Sequence, residues 1–186
     1  LRRLRQDAIW LELLPATADP DADRACLENF QRQLRAHALA GHYCLLYQNP
    51  AGHEHDLATM RCFGLSKREL RARLAGPNVL LNLAFSLHPP FLLEFERRIF
   101  CDLDPSEIFY WMTKLEMGQS QHHEFWTIGL NVHAAACRLP PSPLPLQTFY
   151  PLVDSQLPRP HPPPPRPAFT TLPPRHLPPP PEVNRQ

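Results

Sequence analysis

Proline is distributed so unevenly along this chain that it limits where a fold can form. Seven of the 25 prolines lie in residues 1–137, at positions 15, 20, 50, 77, 89, 90 and 105, and the other 18 lie in residues 138–186. Proline lacks the backbone N–H and has a fixed φ, so it interrupts both helices and strand ladders. The sequence therefore predicts one folded domain over residues 1–137 and a disordered tail of polyproline II character over residues 138–186.

Charge and cysteine content exclude several classes of function. The formal net charge is +1 and no basic face stands out, so nucleic acid is not a predicted partner. The five cysteines are widely spaced, with no CxxC and no Cys/His spacing typical of zinc ligands. They predict reduced thiols in a cytoplasmic protein that holds no metal. No run of 18 apolar residues occurs, so no transmembrane segment is predicted.

Within residues 1–137, patterns typical of strands and helices alternate. The predicted strands are 7–14, 42–48, 78–86, 99–103 and 125–128, with a weak element at 57–63. The predicted helices are 22–38, 66–74, 91–95 and 106–117. Asp19 or Asp21 can cap the first helix, and Ser66 with Glu69 matches a capping box for the second. This alternation predicts an α/β fold, with a Rossmann-like parallel sheet flanked by helices.

Two of the predicted strands end in polar or small residues. One apolar run leads into Asp102 and Asp104, and the next predicted strand is followed by Gly129 and Asn131. Ligands of open α/β sheets bind just beyond the carboxyl ends of the strands. The two strand ends therefore predict a binding site.

The pair Asp102 and Asp104 admits three interpretations. Residues two apart in a strand project to the same face, so the carboxylates can share a ligand or a metal ion. The first interpretation is a haloacid-dehalogenase-like phosphotransferase, in which Asp102 attacks phosphorus and Asp104 acts as acid and base; Ser106 stands where that family has Thr or Val. The second is a metal-binding Asp-x-Asp of the kind found in nucleotide-sugar enzymes. The third is structural, with Asp104 capping the next helix and Asp102 paired locally.

Several other polar residues each carry a functional and a structural interpretation. His122 and His123 are adjacent in an extended segment and point opposite ways, so one can face the site as an anion-binding or acid/base group, or both lie in a surface loop. His53 and His55 suggest zinc at first sight, but a solvated polar loop is the default. Asn82, inside an apolar strand, either bonds neighbouring backbone or marks the sheet edge near a ligand.

Three segments together carry a resemblance to a known family. They are residues 78–83 (Asn-Val-Leu-Leu-Asn-Leu), 98–105 (Arg-Ile-Phe-Cys-Asp-Leu-Asp-Pro) and 123–131 (His-Glu-Phe-Trp-Thr-Ile-Gly-Leu-Asn). Their order of strand, Asp-x-Asp-Pro, helix, His, aromatic strand and Thr-x-Gly-x-Asn resembles bacterial glycosyltransferase-like proteins of the two-domain GT-B class. The resemblance covers about residues 5–133.

The resemblance implies a fold and a function. It implies two facing Rossmann-like domains, with the nucleotide-sugar donor held chiefly by the C-terminal domain and the acceptor by the N-terminal one. The class usually needs no bound metal, and no cofactor beyond the donor substrate is expected. By analogy, six residues line the interdomain cleft, and none is assigned as the catalytic base: Asp102, Asp104, His123, Thr127, Gly129 and Asn131.

After Val132 the sequence departs from the pattern of that family. Residues 133–186 contain no glycine and are rich in proline. The abrupt change predicts a frameshift after about residue 133 in a GC-rich gene. Such a fragment lacks the main donor-binding domain and is expected to be inactive alone.

The tail suggests a second class of function, a non-enzymatic interaction module. Residues 162–167 and 173–178 contain PxxP spacings or near-matches beside arginines. Aromatic grooves of SH3-like domains bind such segments. An SH3-like partner of the tail is therefore the alternative to the enzyme.

Overall fold

Strands and helices alternate along most of the chain, as the sequence predicts, but β3 follows β2 and β7 follows β6 with no described helix between them. The computed structural model describes residues 7–37, 39–48, 55–112, 114, 116, 118–139, 142 and 144–150, which all belong to one compact unit. The strands are β1 (Trp10–Pro15), β2 (Tyr43–Gln48), β3 (Arg61–Gly64), β4 (Val79–Leu83), β5 (Arg97–Asp102), β6 (Glu124–Thr127) and β7 (Leu146–Thr148). The helices are α1 (Pro20–Ala36), α2 (Lys67–Leu74) and α3 (Pro105–Met112), with 3-10 turns at Phe91–Glu94 and Gln119–Gln121.

Two helices begin at the capping residues that the sequence offers. Asp19 caps α1, because its Oδ1 accepts hydrogen bonds from the amides of Asp21 (3.0 Å) and Ala22 (3.1 Å). The predicted capping box of α2 is confirmed: the Glu69 amide donates to Ser66 Oγ (3.2 Å), and the Ser66 amide donates to Glu69 Oε2 (2.9 Å). These local contacts satisfy amides that have no partner inside the helix.

The described strands form two sheets. One has the order β1-β2-β3, in which β1 and β2 are parallel and β3 runs antiparallel to β2. The other has the order β4-β5-β6-β7, and every neighbouring pair in it is parallel. The α/β prediction is therefore confirmed, with a four-stranded parallel sheet flanked by helices. The prediction of a single parallel sheet is wrong at β3, which runs antiparallel to β2. Parallel neighbours need a crossover connection, usually a helix, and the described part of the connection between β2 and β3 contains none.

The order of the four-stranded sheet has a consequence for the site. A doubly wound sheet reverses its strand order at one point, and the ligand crevice opens between the strands on either side. Strands β4 to β7 follow one another in chain order without a reversal. A site at their carboxyl ends must therefore be formed by the loops that follow the strands, because these four strands contain no switch point.

Strand β7 lies in the segment 138–186 that the proline content predicts to be disordered. Residues 146–150 contain no proline, so their N–H groups are available for a ladder. Leu146 is buried and pairs with Phe125 of β6. The fold therefore extends beyond the predicted boundary at residue 137.

The hydrophobic core also continues past the predicted frameshift. Val132, Leu139 and Leu144 pack against the same cluster as buried Leu146. This packing gives no support to a break near residue 133. Residues 151–186, which include both PxxP segments, lie outside the described residues.

Two core clusters position the four-stranded sheet. One joins the sheets, because Leu46 of β2 and Leu80 of β4 belong to it together with Phe91 and Leu92 of the 3-10 turn. The other lies between the sheet and α3, and it contains Phe85, Phe100, Ile108, Met112, Phe125 and Leu146. Among the described residues, none of the helices is long and apolar enough to cross a membrane.

Candidate functional site

A buried carboxylate joins the carboxyl ends of β5 and β6. Asp102 has no exposed surface. Its Oδ2 accepts a hydrogen bond from Thr127 Oγ1 at 2.6 Å, and its Oδ1 accepts one from the Asp104 amide at 2.9 Å. Burial raises the pKa of Asp102, against the lowering effect of the Thr127 hydroxyl and the Asp104 amide. Both oxygens are thus engaged inside the protein.

Thr127 links Asp102 to the loop after β6. Its Oγ1 donates to Asp102 and accepts from the Gly129 amide at 3.0 Å. The backbone adds one further link, from the Ile128 amide to the Asp102 carbonyl oxygen at 3.2 Å. We call the set Asp102, Thr127 and Gly129 the strand-end latch, because it holds the loops after β5 and β6 together.

Asp104 lies at the surface and caps α3, as the structural interpretation of this residue predicts. Its Oδ1 accepts from Ser106 Oγ at 2.6 Å and from the Glu107 amide at 3.3 Å, and its carbonyl oxygen accepts from the Ile108 amide. The Ser106 hydroxyl is the main cause that lowers the pKa of Asp104. The two aspartates of the motif therefore differ: one is a buried latch, and the other is an exposed carboxylate at a helix N-terminus.

Gly129 is required by space rather than by backbone conformation. A Cβ at this position would lie 2.5 Å from Val132 Cγ1 and 2.6 Å from Pro105 Cγ, inside van der Waals contact. The loop after β6 is therefore packed onto the start of α3. Asn131, two residues on, is exposed beside these loops. Five of the six predicted residues thus lie together at the carboxyl ends of β5 and β6, with two of them buried beneath the loops: Asp102, Asp104, Thr127, Gly129 and Asn131.

His123 lies at the other end of the sheet. Its ring Nδ1 accepts from the Arg98 amide at 3.0 Å, and its own amide donates to the Arg98 carbonyl oxygen at 2.8 Å. Both residues stand where β5 and β6 begin, whereas the strand-end latch lies where these strands end. The prediction that His123 joins the other five residues is therefore not supported, because the strand length separates them.

The neighbouring His122 is the buried member of the histidine pair. Its Nε2 lies 3.1 Å from Asn82 Nδ2 and its Nδ1 lies 2.8 Å from the Gly118 carbonyl oxygen, which assigns the ring proton to Nδ1. Burial is the main cause that lowers its pKa. The other contacts of Asn82 hold the loop after β4, through the Leu87 amide and carbonyl oxygen. Asn82 therefore bonds neighbouring backbone, as one interpretation predicts.

Sequence reasoning missed a second polar cluster, in the first sheet. The Asp23 carboxylate of α1 accepts hydrogen bonds from the Thr17 hydroxyl (2.7 Å) and from Tyr47 OH (2.6 Å). The Tyr47 and Thr17 contacts lower the pKa of Asp23. The sequence signal that could have revealed this cluster is again a polar residue just after a strand. Thr17 lies two residues after the end of β1, and Asp23 lies in the first turns of α1. In the part of the chain that the structure describes, no three His, Cys, Asp or Glu side chains are grouped as metal ligands.

In comparisons with known proteins, no family model, curated protein or solved structure matches the chain.

Proposed function

We propose that the α/β unit is the acceptor-side domain of a GT-B-type glycosyltransferase, which moves a sugar from a nucleotide-sugar donor to an acceptor. The carboxyl ends of β5 and β6 form one wall of the cleft in this proposal. The donor is held chiefly by a second domain, as the resemblance implies. No catalytic base is assigned to this chain.

One observation carries the proposal: the strand-end latch holds two surface loops in a fixed relation. A site on loops needs such support, because ligand groups are bound well only when their partners are already in place. The latch supplies this support without exposing its own carboxylate, since Asp102 is fully buried. The groups left to face a ligand are the Asp104 carboxylate and the Asn131 amide, which suit sugar hydroxyls and the polar parts of a donor.

The burial of Asp102 also argues against the phosphotransferase interpretation. A nucleophilic aspartate must place one free oxygen against phosphorus. Both oxygens of Asp102 accept internal hydrogen bonds, so that attack requires the latch to open. The geometry therefore favours a supporting function for Asp102. The SH3-ligand alternative depends on residues outside the described part of the chain.

The test is an amide NMR titration of the 186-residue chain with UDP-sugars, GDP-sugars and neutral saccharides. We expect shifts concentrated in residues 102–106 and 127–132. Absence of shifts there with every ligand at millimolar concentration contradicts the proposal.

Matched variants make the titration specific. Asp104→Asn keeps a good helix cap but removes the charge, and Asn131→Ala removes an exposed amide. Both are expected to weaken the shifts, whereas His123→Ala at the opposite end of the sheet is expected to leave them unchanged. Equal effects of all three variants contradict a site at the carboxyl ends.

A further inference from the structure

A groove opens at the amino ends of β4, β5 and β6, away from the strand-end latch. Its volume is about 510 Å³, which lies in the range of small-molecule sites. One wall is the turn after α2, at residues 74–78, and another is the segment 93–96. The floor includes Arg98 and His123.

The Asn78 side chain holds the two walls of this groove together through hydrogen bonds to their backbone groups. Asn78 Nδ2 donates to the carbonyl oxygens of Leu74 (2.8 Å) and Gly76 (3.1 Å), and Asn78 Oδ1 accepts from the Glu96 amide (3.0 Å). The turn and the opposite wall are therefore tied together. A ligand would enter a groove that is already formed.

The guanidinium of Arg98 is fixed in place but has no acidic partner. Its Nε donates to the Gln121 carbonyl oxygen and its Nη1 to the Phe95 carbonyl oxygen, each at 2.6 Å. Among the described residues no carboxylate forms an ion pair with it. The remaining N–H groups, including both on Nη2, are free to bind an anion.

His123 presents a second donor beside this guanidinium. Its Nδ1 accepts from the Arg98 amide, so the neutral ring carries its proton on Nε2. Nε2 lies 3.3 Å from Arg98 Nη2. Two donors therefore face each other without an acceptor between them, and an oxyanion placed there would accept from both.

The charge of the remaining lining limits which anion fits. Glu94 and Glu96 line the same groove and are exposed. Two carboxylates repel a phosphate, which carries nearly two negative charges, more than they repel a single carboxylate. They also accept hydrogen bonds from hydroxyl groups.

We propose that this groove binds a small hydroxy-carboxylate of the sugar-acid class. The ligand carboxylate accepts from Arg98 Nη2 and His123 Nε2, and its hydroxyls donate to Glu94 and Glu96. The proposal is independent of the glycosyltransferase proposal, because it uses the other end of the sheet.

The test is an amide NMR titration of the full chain with glucuronate, with glucose and with inorganic phosphate in separate arms. We expect glucuronate to shift residues 76–78, 95–98 and 122–124, and glucose to leave them unchanged. No shift with glucuronate, or equal shifts with glucose, overturns the proposal. Stronger binding of phosphate than of glucuronate also overturns it, because the groove would then select charge alone.

Variants locate the contact. His123→Ala removes one donor to a charged group and is expected to weaken glucuronate binding by about tenfold. Exposed His37→Ala is the control and is expected to leave binding unchanged. Glu94→Gln with Glu96→Gln is expected to raise the affinity for phosphate, because the repulsion is removed. Unchanged glucuronate affinity in His123→Ala contradicts the assignment.

Discussion

Burial decides what the individual polar residues of this protein can do. Asp102 and Asp104 belong to one short motif, yet one carboxylate is enclosed and the other is exposed at the start of a helix. His122 and His123 are also adjacent, yet the first lies among aromatic rings and the second faces a groove. Sequence alone identified these residues as unusual, but alternation along an extended segment does not tell which of two neighbours points inward.

Thr127→Val is expected to destabilise the fold by about 2–3 kcal/mol, because it leaves a buried carboxylate oxygen and the Gly129 amide without a partner. Urea unfolding near neutral pH measures the change. Thr148→Val, on the neighbouring strand and exposed, is the matched control and should change stability by less than about 0.5 kcal/mol. Similar losses in both variants contradict the latch.

Gly129→Ala is expected to cost about 1–3 kcal/mol, because the added methyl group meets Val132 and Pro105. Gly76→Ala is the control, since nothing lies within 4 Å of a Cβ at that position. That substitution should be neutral or slightly stabilising. Thermal unfolding of the two variants compares them, and a more stable Gly129→Ala variant argues against close packing of the two loops.

Strand and helix positions follow from short-range patterns, but the exposure of a strand does not. β4 is a run of apolar residues interrupted only by Asn82. In the structure it alternates: Leu80 and Asn82 are buried, whereas Val79, Leu81 and Leu83 are exposed. The described residues thus cover one face of this edge strand and leave the other open.

Leu80→Ala and Leu81→Ala test this alternation directly. Leu80 is 8% exposed and Leu81 is 43% exposed. The first substitution is expected to cost about 2–5 kcal/mol through the cavity it leaves, and the second less than about 1 kcal/mol. Urea unfolding compares them, and the reverse order contradicts the assignment of the faces.

His55 connects the segment before β3 with the loop after β4. Its amide donates to the Pro89 carbonyl oxygen, its carbonyl oxygen accepts from the Phe91 amide, and its Nδ1 accepts from the His88 amide at 2.9 Å. These contacts join the segment before β3 to the loop after β4. Burial, with a smaller effect of the neighbouring His88 ring, lowers the pKa of His55 to about 4.

The fold is therefore expected to lose stability in mild acid. Between pH 6.5, the ordinary pKa of a histidine side chain, and the folded pKa of about 4, the unfolded chain binds a proton at His55 that the folded chain excludes. Stability thus rises with pH in this window, by at most about 1.4 kcal/mol per pH unit from this residue, and its contribution is complete above the window. Urea midpoints across the window measure it.

His55→Asn keeps a side-chain acceptor near the Nδ1 position but cannot titrate, so it should reduce this pH dependence. His37→Asn, at an exposed position, should leave it unchanged. An unaltered pH dependence in His55→Asn means that other groups cause it. Buried His122 is the next one to vary, because its pKa is lowered mainly by burial as well.

The amino-acid sequence was sufficient to locate strands β1 to β6, helices α1 to α3, the caps of α1 and α2 and the polar strand ends, because these depend on residues within a few positions of one another. It was not sufficient for the division into two sheets, for the antiparallel β3 or for the short β7. It also did not reveal that Asp102 is enclosed or that His123 lies apart from it. Those features depend on pairs such as Asp102 with Thr127 and His55 with His88, which are 25 and 33 residues apart. Contacts over such distances exist only after the strands have paired and the core has closed, so no local pattern encodes them.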